Sequence, residues 1–343
     1  GGVPTIDFAA FTDAARNPET PKAAVARELV EAFKTIGFAS LVNHGIPRAV
    51  TDAAFAASKA FFALDKSTKT EFAYASPESN RGYIAVGMEL LDGALPDLKE
   101  SFDIGDEADA VFQNRWPSDD LVPGFRAAML DYFEKYDALQ ILVMRAIALG
   151  MGYEDEAFLD HAVDARHENL RLLHYPEADR AALARTGQKR CGTHTDYGTV
   201  TLLSQQSVAG LWARKVDGTW TPVPPVDGAI VVNVGEMLMR VSNDALRATP
   251  HQVLDDEHDV PRDDPVAEED PNASGGTVPE RYSIAFFCNF NKDFLLECLP
   301  GCGADGDQEK TGDVPKFKYP GPAVTAHEYI TGRLAGTITH TAS

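Results

Sequence analysis

Apolar positions fall into two regimes along the chain. In residues 20–38, "TPKAAVARELVEAFKTIGF", Val25, Leu29, Val30, Phe33 and Ile36 recur at helical spacing. Thr20 is the N-cap candidate, Pro21 suits the first helical position, and Gly37 stands just past the end. "FASLVNHGIP" then reads as a short strand running into a turn. A longer helical pattern, "FRAAMLDYFEKYDALQILVMRAIALGMG", is closed by Gly150 and Gly152.

The period shortens near residue 168. "NLRLLHYP", "CGTHTDYGTVTLLSQQ", "GLWARKVDGTWTPVPP", "GAIVVNVGEMLMRVS", "HQVLDD" and "RYSIAFFCNF" are short, β-rich runs separated by Gly, Pro and Asp. Strands at this pace predict an antiparallel sandwich or barrel, with a hairpin at Asp217-Gly218. The expected architecture is β with flanking α, a jelly-roll core packed against N-terminal helices. Residues 255–280, "DDEHDVPRDDPVAEEDPNASGGTVPE", are acidic and almost free of large apolar groups. Such a segment cannot offset its ordering entropy by burial and is expected to be a mobile loop, either a plain hairpin tip or a lid.

Charge narrows the function classes. The 343 residues carry a formal net charge of −21, which argues against a nucleic-acid surface. No apolar run approaches the roughly 20 residues of a membrane span. "GGVPTIDFAAF" lacks the basic-then-apolar pattern of a secretory leader. The four cysteines form no CxxC pair, so the expected setting is reducing and cytoplasmic.

The chemistry gathers in "CGTHTDYGTVTLL", residues 191–203. On a strand, His194 and Asp196 would share a face, placing two metal-ligand side chains side by side. His251 in "SNDALRATPHQVL" opens another strand-like run. Alone it would be a structural histidine; beside an HxD pair it becomes the third ligand. Two imidazoles and one carboxylate suit non-haem Fe(II) with open positions, and also zinc. In "RYSIAFF", Arg281 and Ser283 share a strand face, where a guanidinium beside a hydroxyl receives a carboxylate. An isolated RxS says little; after an HxD and a distal His it points to a co-substrate whose far carboxylate is held here while its near end chelates the metal.

This ordered set resembles the isopenicillin N synthase-like family of Fe(II)/2-oxoglutarate-dependent oxygenases. "VPTIDF", "GFASLVNHGIP", "NRGY", "DLKESFDIG", "LRLLHYP", "HTDYGTVTLL", "VVNVGEML", "SNDALRATPHQV" and "RYSIAFFCN" carry the likeness over nearly the whole chain. It is similar to the branch that includes thymine dioxygenase, fungal natural-product oxygenases and ethylene-forming enzymes. The resemblance implies an α-rich N-terminal region over residues 1–120 and a double-stranded β-helix catalytic core over 121–343, in one compact unit. It implies iron at His194, Asp196 and His251, and 2-oxoglutarate held by Arg281 and Ser283 with Tyr175. It implies consumption of O2, release of succinate and CO2, oxidation of a substrate C–H bond, and stimulation by ascorbate.

Two departures stand out. Leu173 occupies a position where many plant members carry Asn, so Arg171 is the candidate for the iron-proximal carboxylate of the co-substrate. The interval from His251 to Arg281 is long, and the acidic segment fills it. Arg262 lies within that segment but has no serine two residues on, so Arg281 is preferred.

Substrate contacts are expected from Arg171, Tyr197, Phe287 and Asn289, an aromatic and amide set suited to a flat pyrimidine such as thymine or to an aromatic secondary metabolite. Arg81 and Tyr83 of "NRGY" are expected at the entrance. Phe287 could equally be plain core. His44, His161, His167, His174, His258, His327 and His340 lack ligand partners in the pattern, and Trp116 reads as packing. The partner is a small molecule, with no nucleic acid and no membrane, on a monomer or weak homo-oligomer. The competing readings are an oxidase of the same fold that uses no 2-oxoglutarate, of oxidative cyclase or ethylene-forming type, and a non-enzymatic receptor.

Overall fold

The computed structural model describes residues 2–12, 21–76, 79–91, 95–255, 276–303, 317–319 and 321–334. Its strands are β1 (Thr5–Asp7), β2 (Phe38–Val42), β3 (Gly82–Ile84), β4 (Glu100–Ile104), β5 (Asn169–Tyr175), β6 (Ala178–Asp179) and β7 (Cys191–His194). They continue with β8 (Val200–Gln205), β9 (Leu211–Arg214), β10 (Trp220–Pro222), β11 (Ile230–Val234), β12 (His251–Val253), β13 (Thr277–Val278) and β14 (Arg281–Phe287). The helices are α1 (Ala9–Thr12), α2 (Lys22–Thr35), α3 (Arg48–Phe62), α4 (Lys66–Thr70), α5 (Phe125–Met151), α6 (Arg180–Thr186), α7 (Glu236–Val241) and α8 (Ala326–Leu334).

Eight strands form the large sheet, in the order β1-β2-β11-β8-β14-β5-β4-β3. Four make the small sheet, β10-β9-β12-β7. Both edges of the large sheet come from the first 120 residues, so the N-terminal region supplies strands as well as helices. The β9–β10 hairpin turns through Gly218, at φ +85°, as the Asp-Gly pair predicts.

Alternation along the central strands separates two interiors. On β14, Tyr282, Ile284 and Phe286 join the core against the helices, together with Leu170 and Leu172 of β5. The alternate residues Leu173, Tyr175 and Ala285 face the small sheet, where Cys191, Leu211 and Val253 meet them. Each fully buried Phe or Leu of this kind contributes about 1.5–3 kcal/mol relative to exposure.

The long helix α5 backs the large sheet and packs on α2. Its end differs from the expectation that two glycines close it: Gly150 is inside the helix and only Gly152, at φ +99°, caps it. A Cβ on Gly150 would lie 2.3 Å from the Ala26 carbonyl of α2, so glycine here allows the two helices to approach. On α2 the capping residue is Pro21, extended at ψ 139°, and the helix begins at Lys22. Thr20 lies outside the described residues, as do 256–275 of the acidic segment and, with them, Arg262 and His258. His340 is outside as well.

Candidate active site

The β7–β12 rung sets His251 directly opposite His194. β7 ends at His194, so Asp196 stands in the following loop, not on the strand as its HxD spacing suggested. That loop is fastened by backbone bonds from Glu236 and Met237 of α7 to the carbonyls of Asp196 and Tyr197, at 2.8 and 3.1 Å. It turns the carboxylate back toward both rings: Asp196 Oδ1 is 3.7 Å from each imidazole Nε2. One ligand atom from each of the three residues lies within 4.8 Å of the others.

The surrounding bonds prepare these atoms. His194 Nδ1 is 2.9 Å from the Gly192 carbonyl and His251 Nδ1 is 3.0 Å from that of Thr249. A carbonyl only accepts, so each Nδ1 carries the proton and each Nε2 presents its lone pair inward. Asp196 Oδ2 accepts from Thr201 Oγ1 and Asn233 Nδ2 at 2.6 and 2.7 Å, leaving Oδ1 for a metal. Burial, then the neighbouring His194, lowers His251 to about 4, against the pull of Asp196. Burial works to raise Asp196, but the two imidazoles and the two hydrogen bonds hold it below the ordinary carboxyl range. Neutral imidazoles and an ionised carboxylate are the donor set that a divalent cation needs, so the residues fit Fe(II).

A cavity of about 170 Å³ between the two sheets contains this triad at one side. Arg281 lies deep in it, 1% exposed. Its Nη1 donates to Ser283 Oγ at 3.1 Å, its Nη2 to Gln205 Oε1 at 2.9 Å, and its guanidinium stacks 4.9 Å over the Tyr175 ring. All these partners are neutral, so the cation is available to an anion. Arg281, Ser283 and Tyr175 therefore come together, as the family resemblance implied. Gln205 was missed; its register opposite Ser283 is the structural reason it joins them.

Arg171 also lines the cavity, but its guanidinium is engaged. Nε and Nη2 fork onto Asp103 at 2.7 and 2.9 Å, and Nη1 reaches Glu89 at 2.8 Å. Glu89 in turn pairs with Lys99 at 2.9 Å, and Lys99 with Asp97. Burial opposes ionisation of Glu89, yet Arg171 and Lys99 bring it down to about 2. Three carboxylates thus enclose two cations, and each cation is paired twice.

Phe287 lines the cavity with Arg171 5.9 Å over its ring. Tyr197 and Asn289 line it too, although Asn289 Nδ2 already donates to the His167 carbonyl at 2.7 Å. Arg81 and Tyr83 are corrections: neither borders the cavity. Arg81 is buried against Gly105, with Nη1 donating to the Asn80 carbonyl at 2.9 Å, and Tyr83 donates to Glu100 in the helix-side core. Their neighbour Asn80, turned by φ 47°, faces the cavity instead. Leu91, Lys99, Ile330 and Leu334 were not foreseen either. Two of the histidines set aside have structural partners: His44 bonds the Gly228 carbonyl, and His174 lies on Glu100 and stacks on Tyr282. Trp116 packs edge-on against Phe125.

Among the described residues, no helix is long and apolar enough to cross a membrane. Residues 3–119 match the family model for the N-terminal part of a non-haem dioxygenase in morphine synthesis, and 166–290 match that of the 2OG-Fe(II) oxygenase superfamily. The chain is 36% identical to a proline hydroxylase of Petromyces alliaceus, over 95% of this chain and 98% of that protein. It is 33% identical to a 2-oxoglutarate-Fe(II) type oxidoreductase of Metarhizium rileyi, over 92% and 89%. A Neurospora crassa protein, solved in complex with alpha-KG and thymine, superposes with TM-score 0.83 at 36% identity, over 97% of this chain and 96% of that one. That neighbour has the double-stranded β-helix core that the strand pattern predicted. By these likenesses the chain belongs to the 2OG-Fe(II) oxygenase superfamily and is an oxidoreductase that uses Fe(II) and 2-oxoglutarate.

Proposed function

We propose that the protein oxidises a C–H bond of a small, flat, neutral molecule, with a pyrimidine such as thymine as the first candidate and an aromatic secondary metabolite as the second. The observation that carries this reading is the ionic wall, in which both cations are already paired. Arg171 and Lys99 are both neutralised by Glu89, Asp97 and Asp103, so the cavity has one uncommitted cation, Arg281, among the groups described above. That cation suits the far carboxylate of 2-oxoglutarate, with Ser283 and Tyr175 beside it. The prime substrate then meets aromatic faces at Phe287 and Tyr197 and neutral hydrogen-bonding edges at Asn80 and Asn289, a combination suited to a planar heterocycle. The complex of the Neurospora protein with thymine supports the same class.

In this reading His194, Asp196 and His251 hold Fe(II), which with 2-oxoglutarate and O2 supplies the oxidising power and yields succinate and CO2. Thr201 and Asn233 keep Asp196 Oδ1 turned to the metal. Arg281, fixed by Gln205 and Ser283, sets the direction from which the co-substrate reaches it. Arg171 is a rigid wall that orients the prime substrate over Phe287; its engagement by Asp103 and Glu89 makes it a weak candidate for the iron-proximal carboxylate.

The test is substrate-triggered succinate release with Fe(II), over thymine, 5-formyluracil, free proline and a set of neutral arenes. Stimulation by planar neutral compounds is expected. Stimulation by proline alone would overturn the reading. An oxidase that ignores 2-oxoglutarate would consume oxygen with its substrate and release no succinate.

A further inference from the structure

Glu236, the first residue of α7, makes contacts that the metal and co-substrate do not explain. One of its oxygens accepts from Thr195 Oγ1, the residue between two of the three ligands, and from Arg333 Nη2 at 2.8 Å. The other accepts from the Tyr329 hydroxyl. Tyr329 and Arg333 are one turn apart on α8, and between and beyond them Ile330 and Leu334 point into the cavity wall. Arg333 also covers the Tyr197 ring, with its guanidinium carbon 4.6 Å from the centroid. Thus one carboxylate joins the metal loop, the cavity roof and a cavity aromatic.

The helix is built to need this attachment. Its first turn is secured by Glu328, which accepts from Thr325, and by backbone bonds of Ala326 and His327 to Phe294 and Lys292. Its second half contains Gly332, where an added Cβ would meet nothing within 4 Å, so packing does not require the glycine. A glycine in the last turn weakens a short helix relative to alanine, because it has more backbone freedom to lose. Only nine residues long, α8 is too short to be stable without tertiary contacts.

We propose that Glu236 is a positioning residue that latches the C-terminal helix onto the metal-binding loop, so that the roof at Ile330 and Leu334 and the setting of Tyr197 depend on one carboxylate. Loop and helix then open together, which makes access to the cavity and order in the loop a single equilibrium.

Hydrogen exchange of the whole chain tests this without reference to the substrate, so its outcome is separable from that of the functional reading. Glu236→Gln and Arg333→Ala should each speed exchange roughly tenfold in two segments at once, the amides that fasten the loop (Thr199, Gly235, Glu236 and Met237) and 326–334. Arg333→Lys, which keeps the charge at Glu236 and over the Tyr197 ring, should restore most of the protection in both. The Arg333 side chain is 45% exposed, so its variants fold even if the Glu236 variant does not. Faster exchange confined to 326–334 would make Glu236 a mere helix anchor and overturn the proposal. Unchanged exchange in both segments would overturn it equally.

Discussion

His194 and His251 occupy one rung of the β7–β12 ladder, their ring centroids 4.2 Å apart and tilted by 54°. The third ligand enters from a loop, yet strand pairing alone fixes the separation of the two imidazoles. His251→Ala should therefore abolish tight Fe(II) binding and substrate-dependent succinate release while leaving the fold intact. Metal titration alongside circular dichroism checks both halves. A variant that bound iron normally would remove His251 from the ligand set.

Arg281→Ala should weaken 2-oxoglutarate on the order of 10²-fold, because a buried charge-assisted fork is lost. Arg281→Lys should fall between, keeping the charge but not the fork. Fe(II) affinity should hardly change in either. Titration of the co-substrate onto the metal-loaded protein measures the effect, and wild-type affinity in the alanine variant would show that another cation is the anchor across the acidic segment.

Removing the Arg171 guanidinium should cost more stability than its cavity position suggests. Arg171→Met leaves Asp103, which is 0% exposed, and Glu89 without their principal partner. Breaking a buried pair from one side typically costs about 3–5 kcal/mol. Denaturant melts should show a loss of that order, and a loss below ~1 kcal/mol would mean that water reaches the pair.

Glu168 provides a pH test away from the metal. Burial, then the nearby Asp137 carboxylate, raises it to about 8, and one of its oxygens has no hydrogen-bond partner. The folded state thus holds a proton that the unfolded chain releases near pH 4.5. Stability is fully present below the unfolded value and falls as pH rises toward the folded one. Glu168→Gln should remove this dependence, leaving the variant about 1–3 kcal/mol more stable than wild type at roughly pH 8.5 and near parity at about pH 5. Thermal melts at the two pH values decide it; equal differences at both would show that Glu168 is ionised in the fold.

Much of this site was legible because two-residue alternation links sequence to face. Arg281, Ser283 and Phe287 follow from one strand, whereas Tyr175 and Arg171, on its partner, came from the family resemblance. The far wall was not legible. Asn80, Glu89, Leu91 and Lys99 come from short, irregular stretches with no periodicity to orient them. "NRGY" marked the right neighbourhood, but Asn80, at positive φ, is the residue that borders the cavity, while Arg81 and Tyr83 are buried away from it. Nor could spacing reveal that Arg171 was engaged, since Asp103 and Glu89 reach it only through β4 pairing and the loop before it. The roof at Ile330 and Leu334 belongs to a short helix with little amphipathic signal and no nearby motif.

The ionic wall has a consequence for how this scaffold can diversify. Losing Arg171 or Lys99 strands buried carboxylates, and losing Glu89 leaves each cation with a single partner, so these three positions are tied to one another and to Asp97 and Asp103. Phe287, Leu91, Asn80, Ile330 and Leu334 carry no such obligation. New substrate ranges should therefore be reached through the neutral positions first, while the ionic framework is inherited whole or replaced whole.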